Sequence, residues 1–270
     1  KLIKFGAQNQ ITVRCRNEGA ASAAIIDHGV ACGFYPGRRG IHLPLKLVFA
    51  NEVRIKRALV NSNLADSSID IAYQIQNSSD KAAKISLASS VEPAQGGKPC
   101  GNAKAEETIV QPGETSIHCK AKLENPKLWD IRTPNLYVLK SSLFESGKAA
   151  DSFNVRFGFR SIEARDGMFL LNGKRVKFFG DSYFGGLGAC MQDRRPEEKG
   201  KVREIIETQV RQTGANLARE FDPGPDFLLD ITDEMGLPVY AQYQGFSPDT
   251  GNRPLLDANI QELQDWALQM

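Results

Sequence analysis

Histidine is nearly absent from the sequence, and the three residues present, His28, His42 and His118, have no mutual spacing that suggests a shared metal. A zinc-type centre therefore lacks a ligand set. Cysteine is scarce as well: Cys15, Cys32, Cys100, Cys119 and Cys190 make an odd number without a CxxC pair, so neither a disulfide framework nor a metal knot is indicated. Free thiols are the expectation, with a Cys100 to Cys119 bridge across two strands left open. Excess charge is also missing. The formal net charge is +2, and no lysine and arginine run is interleaved with aromatics, which leaves nucleic acid without an electrostatic footprint. Arg38-Arg39 reads as a solvated turn, and Arg54 and Lys56, alternating with Val53 and Ile55, as the wet face of a strand. No apolar run is long enough to cross a bilayer, so a membrane is not an expected partner. Gly185-Gly186-Leu187-Gly188 has neither the spacing nor the lysine of a phosphate loop, and no cofactor is implied. The chain opens at Lys1 without an initiator methionine or a signal peptide. It is expected to be cut at its front, and its compartment cannot be read.

What is present divides by hydrophobic period. The chain has 270 residues, 41% of them hydrophobic and 24% charged, enough for more than one core. From Ile3 to about Leu47, strand-like stretches such as Ile11 to Cys15 and Leu43 to Leu47 alternate with small and glycine-rich residues, a span too short for a closed sandwich. From Leu47 to about Arg160 apolar and polar residues alternate over Val53 to Leu59, Ile69 to Ile75, Ala83 to Leu87, Ser116 to Ala121 and Tyr137 to Phe144. Turn chemistry at Asn77-Ser78-Ser79-Asp80, Gln95-Gly96-Gly97, Gln111-Pro112-Gly113 and Ser146-Gly147 separates them. This spacing predicts an immunoglobulin-like β-sandwich, with Trp129 and Tyr137 in its core or at a domain boundary.

Near Ser161 the period changes. A short hairpin is expected to feed a strand at Val176 to Phe179. A helix follows with Val202, Ile205, Ile206 and Val210 on one face, then a strand at Asn216 to Ala218, a second helix with Asp233-Glu234 on its solvated face, and a strand at Leu237 to Tyr243. Gly214 and Gly236 fall where left-handed helix caps are expected. Strands joined by helices imply a parallel sheet with right-handed crossovers. The residues after Val176 are too few for a (β/α)8 barrel, which takes about 250. The chain is therefore expected to stop inside such a barrel, during a helix suggested by Ile260, Leu263, Trp266 and Ala267. Reactive groups of a barrel gather at the C-terminal ends of its strands. Those groups are Asp181, Ser182 and Tyr183 after the first strand, Arg219, Glu220 and Asp222 after the second, and Gln242, Tyr243 and Gln244 after the third. Asp181 and Asp222 are the pair that strand order alone offers as glycosidase carboxylates, although Asp222-Pro223-Gly224-Pro225 also reads as a turn.

Several short motifs recur here in order: Asn125-Pro126-Lys127-Leu128-Trp129, Pro134-Asn135-Leu136-Tyr137, Gly158-Phe159-Arg160, Phe169-Leu170-Leu171-Asn172-Gly173-Lys174, Gly214-Ala215-Asn216-Leu217-Ala218-Arg219 and Asp233-Glu234-Met235-Gly236-Leu237-Pro238-Val239. Together they resemble glycoside hydrolase family 2, the β-galactosidase, β-glucuronidase and β-mannosidase relatives, over nearly the whole chain and most loosely before Gly40. The resemblance implies three domains: residues 1–46 as the C-terminal part of a jelly-roll sugar-binding domain, 47–160 as the immunoglobulin-like sandwich, and 161–270 as the first three βα units of a (β/α)8 TIM barrel. It implies a retaining exo-β-glycosidase of the β-galactosidase or β-mannosidase type, with a β-linked glycoside as partner. The acid/base and nucleophile glutamates are expected beyond Met270, because Asn17-Glu18 and Asn51-Glu52 fall in the β regions and no other Asn-Glu pair occurs. Arg219 matches the family's arginine at the end of strand 2. Asp181, Ser182, Tyr183, Asp222, Gln242 and Tyr243 are the remaining candidates for holding sugar. Ser182-Tyr183 and Tyr240-Ala241-Gln242-Tyr243 depart from the family pattern, and the histidine of the galactosidase branch is absent, so no sugar specificity carries over. A non-catalytic carbohydrate-binding or interaction module is the alternative. A homo-oligomer packed through the sandwich is a third reading.

Overall fold

A computed structural model describes residues 6–13, 48–181, 196–220 and 226–241. The chain divides into two compact units, one formed by Lys1–Lys46 with Tyr243–Met270 and the other by Leu47–Gln242. In the first unit, residues 6–13 contain no strand, and Ile11 and Val13 are exposed, so the strand expected at Ile11 does not form over its described part.

The second unit begins with seven antiparallel strands in two sheets. β1 (Val53–Asn63), β2 (Ser68–Asn77) and β5 (Gly113–Lys122) form one sheet in the order β1-β2-β5. β3 (Ala83–Pro93), β4 (Gly101–Val110), β6 (Leu136–Glu145) and β7 (Lys148–Gly158) form the other in the order β4-β3-β6-β7. Period-two alternation turns one side of each strand inward. Ile69, Ile71, Tyr73 and Ile75 of β2 face Ile85, Leu87 and Val91 of β3 and Leu139 and Leu143 of β6, all within one buried cluster. The sandwich predicted from the alternation is thus present. Two strands were not legible: β4 and β7 are the edges of the larger sheet, where Lys104, Glu106 and Glu107 on β4 break the apolar pattern and guard an open edge.

The sandwich core contains one polar lock. The Tyr73 hydroxyl lies 2.7 Å from Ser89 Oγ and 2.8 Å from Ser141 Oγ. Ser89 and Ser141 are cross-strand neighbours on the opposite sheet, their hydroxyls 3.1 Å apart. All three residues are buried, and the closed triangle satisfies hydroxyls that would otherwise cost stability. Burial pushes the Tyr73 hydroxyl above its ordinary pKa against the pull of both serines. Cys100 and Cys119 are free thiols, each raised in pKa by burial, so the bridge left open above does not form.

After the sandwich, β8 (Ile162–Arg165), β9 (Met168–Leu171) and β10 (Lys174–Val176) make an antiparallel meander. The first parallel strand follows later than expected: β11 is Gly180–Asp181 rather than Val176 to Phe179. The apolar run there serves the meander instead, Phe178 packing on Phe169 with ring centres 5.3 Å apart. Helix α1 (Lys199–Thr213), strand β12 (Leu217–Glu220), helix α2 (Asp226–Met235) and strand β13 (Val239–Ala241) complete a parallel sheet in the order β11-β12-β13. α1 buries Val202 and Ile206 as its periodicity predicted, and Gly214 and Gly236 adopt left-handed φ values of 69° and 70° at the two helix ends.

Replacing Tyr73 with Phe removes the shared hydroxyl and leaves the two serines to each other. Urea unfolding should then show a loss of about 1–2 kcal/mol with an unchanged m-value.

Candidate functional site

Two places on the described chain gather functional chemistry: the C-terminal edge of the parallel sheet, and the joint between that sheet's helices and the sandwich. At the first, register places Asp181 beside Ala218 and Arg219 beside Tyr240, with Glu220 beside Ala241. Asp181 and Arg219 therefore sit on neighbouring strands toward the same end, and Arg219 is half-buried. Close packing builds this edge. A Cβ on Gly180 would lie 2.0 Å from the Leu217 carbonyl oxygen, so only glycine lets β11 meet β12. Asn216 clamps the approach: its Oδ1 accepts from Phe179 N at 2.7 Å, its Nδ2 donates to Lys177 O at 2.9 Å, and its own N–H reaches Phe179 O at 2.8 Å. The Gly214-Ala215-Asn216 motif is thus a cap followed by a clamp that sets where Arg219 emerges. Ser182, Tyr183, Asp222, Gln242 and Tyr243 lie outside the described residues, and with Asp222 goes any test of the Asp181 and Asp222 pair. Among the described residues no group of three or more His, Cys, Asp or Glu side chains could hold a metal ion. No described helix is long and apolar enough to cross a membrane.

The second place absorbs most of the remaining motifs. Trp129 lies in the β5–β6 connection, and its N–H bonds Phe159 O at 3.0 Å. Trp129 is 2% exposed and its side chain packs on Gly158, where a Cβ would stand 2.8 Å from both Cβ and Cγ of the tryptophan. Its Nε1 donates to Asp233 O on α2 at 2.8 Å, and the Arg160 guanidinium lies 5.1 Å from the ring centre, in range of a cation–π contact. Asn172 donates to Trp129 O at 2.9 Å and accepts from Ser161 N at 3.1 Å, tying in the meander. Gly236 lets the α2–β13 turn touch this loop, since a Cβ there would lie 2.4 Å from Ile131 O.

Charge completes the joint. Arg156 of β7 forks, Nη1 reaching Glu234 Oε1 at 2.6 Å and Nη2 reaching Asp230 Oδ1 at 2.6 Å and Asp230 O at 2.9 Å. Lys199 Nζ stands 3.3 Å from Glu234 Oε1, and Arg203 also pairs with Glu234. The solvated face expected for Asp233-Glu234 is therefore corrected: both are partly buried against the sandwich. Desolvation pushes Glu234 up, but hydrogen bonds from Arg156 and Lys199 outweigh it and hold the carboxyl below its ordinary pKa. For Asp233 burial prevails over Arg160 and Arg156, and the carboxyl is raised. Of the two places sequence reasoning left open for Trp129, the core or a domain boundary, the structure shows the boundary. Sequence reasoning did not find Arg156, which sits in a strand that has no periodic signal of its own.

Comparison with known proteins shows what this arrangement is similar to. Residues 53–160 match the family described as Glycosyl hydrolases family 2. A putative beta-glucuronidase of Formosa agariphila is 35% identical over 149 residues, 53% of this chain and 17% of that protein. Beta-galactosidase BoGH2A of Bacteroides ovatus is 29% identical over 182 residues, 63% of this chain and 20% of that protein. The chain thus spans about a fifth of the length of these relatives. In fold it is similar to a beta-D-mannosidase from Dictyoglomus thermophilum, with a TM-score of 0.65 and 20% identity over 82% of this chain and 28% of that one.

The two carboxyls of the joint pull stability in opposite directions. Glu234, lowered, contributes stability that is present above its unfolded value of 4.5 and is lost as pH falls through its lower folded value. Asp233, raised, favours the fold below its unfolded value of 3.8 and loses that contribution as pH rises through its higher folded value. Following the urea midpoint of the helical signal from pH 7 to pH 3, Glu234→Gln should flatten the acid decline seen in the parent protein. Parallel curves for the two would count against the assigned ion pairs.

Proposed function

We propose that this chain, whose residues 53–160 match the family described as Glycosyl hydrolases family 2, forms part of a longer retaining exo-β-glycosidase of the β-galactosidase or β-mannosidase type. Similar proteins named as β-glucuronidases make a β-glucuronide the third substrate to test. In this proposal residues 1–46 end a jelly-roll domain, 47–160 form the immunoglobulin-like sandwich, and 161–270 begin a (β/α)8 barrel. The last assignment starts from the parallel order β11-β12-β13 and from a fold likeness to a solved beta-D-mannosidase over 82% of the chain.

The observation that carries the reading is the placement of Arg219 and Asp181 on adjacent parallel strands toward their C-terminal ends, the side where barrel enzymes keep their chemistry. A guanidinium there offers a fixed fork of donors to a sugar hydroxyl or to a carboxylate. Asp181, Ser182, Tyr183, Asp222, Gln242 and Tyr243 complete the proposed sugar-binding edge. The proposed reaction needs two carboxyl groups about 5 Å apart, one to protonate the leaving oxygen and one to attack the anomeric carbon and form a glycosyl-enzyme that water then hydrolyses. Both are assigned to glutamates beyond Met270, so the Lys1–Met270 polypeptide alone is expected to turn over none of the three substrates.

The test is an assay of the longer polypeptide containing this segment on p-nitrophenyl β-galactoside, β-mannoside and β-glucuronide. Hydrolysis of one with retention at the anomeric carbon is expected, and Arg219→Lys should lower kcat/KM by about a hundredfold by misplacing the site. Failure to hydrolyse any of the three would oppose the glycosidase reading and favour a non-catalytic carbohydrate-binding module.

A further inference from the structure

The described part of the Leu47–Gln242 unit holds two hydrophobic cores that share no residue. One fills the sandwich. The other is small, built by Val202 and Ile206 of α1, Phe227, Leu228 and Ile231 of α2, and Ala218 of β12. Between them stands the joint, and its bonds are polar: the Trp129 indole on a helix carbonyl, and Arg156 forked onto two carboxylates of α2. Polar joints respond to their surroundings in a way that cores do not. Arg156 is 23% exposed and Glu234 30% exposed, so water and salt reach the ion pairs. The joint also carries a cost. Arg156 Nε and Arg160 Nε are buried without a hydrogen-bond partner, and opening would give both donors to water. Separating α1 and α2 from β7 therefore breaks charge-assisted bonds but recovers solvation, whereas opening the sandwich exposes its whole apolar core.

We propose that α1 and α2 form a layer that opens from the sandwich as a unit, with Arg156 as its latch, while the sandwich stays closed. This is a local opening of the kind in which cooperative segments of a fold separate below the free energy of global unfolding. The latch holds from one side only: Arg156 comes from β7, and every carboxylate it binds belongs to α2. Lys199 of α1 shares Glu234 Oε1 with Arg156, and Arg203 of α1 pairs with Glu234 Oε2, so the two helices stay joined to each other when Arg156 lets go. The inference does not rest on the glycosidase reading, because it concerns only how two parts of the chain are held together.

Hydrogen exchange on the intact chain, read by peptide mass spectrometry, tests it. In Arg156→Met the amides of α1 and α2 should exchange at least about tenfold faster, and together, as expected for loss of charge-assisted bonds. Those of β2, β3 and β6 should stay within about twofold of the parent at the same condition. Acceleration of strands and helices alike would overturn the proposal, as would unchanged helix exchange. Should the variant not fold, the parent in 1 M against 0.1 M NaCl decides, since salt weakens the partly exposed pairs. Selective acceleration of α1 and α2 supports the latch, and equal exchange at both salt concentrations overturns it.

Discussion

The seating of Trp129 is the constraint on which the arrangement of this molecule depends. A large indole is held at the end of the sandwich with its face on Gly158, its backbone paired with Phe159 and Asn172, and its one donor spent on the end of α2. Gly158 must lack a side chain for the ring to lie there, and Gly236 must lack one for the helix to approach. Remove the ring and the sandwich and the first βα elements lose a shared contact, while the meander keeps its bond to the Trp129 carbonyl. The Arg156 pairs then close on a geometry already set and supply the charge-assisted bonds that hold α2 against β7.

This explains why the motifs that carry the family likeness are mostly not reactive groups. Asn125 to Trp129, Gly158 to Arg160, Leu171 to Lys174 and Asp233 to Val239 meet at one joint, and Gly214 to Asn216 performs the same service for the β11 and β12 edge. Each meets a backbone demand: a tryptophan that needs a flat floor, a glycine in left-handed conformation, an asparagine that bonds main chain on both sides. Arg219 lies outside this joint, and its place follows from Asn216 and Gly180, which fix the strand that bears it.

How much was legible in the residues follows from the same physics. β2, β3 and β6 bury one face fully, so their alternation is clean, and α1 shows its Val202 and Ile206 stripe for the same reason. β4 and β7 are sheet edges with charge on them, and they left little signal. The Val176 to Phe179 run misled because apolar residues can serve a hairpin face as readily as a strand core; Phe178 answers Phe169 and not the parallel sheet. Asp233 and Glu234 read as solvated because nothing local announces that Arg156, far away in sequence, will lie against them. Glycine positions were the most faithful guide at the helix ends, where left-handed conformation leaves few substitutes.

The central claim is that Trp129 is sealed in a joint between the sandwich and α2. It is tested most directly by acrylamide quenching of Trp129 fluorescence in a Trp266→Phe background, where Trp129 is the remaining indole of the two in the sequence. The account predicts weak quenching in this parent and a clear increase when Gly236→Ala pushes the α2–β13 turn off the loop. Quenching in the parent as efficient as that of an exposed indole, or no change on adding Gly236→Ala, would contradict it.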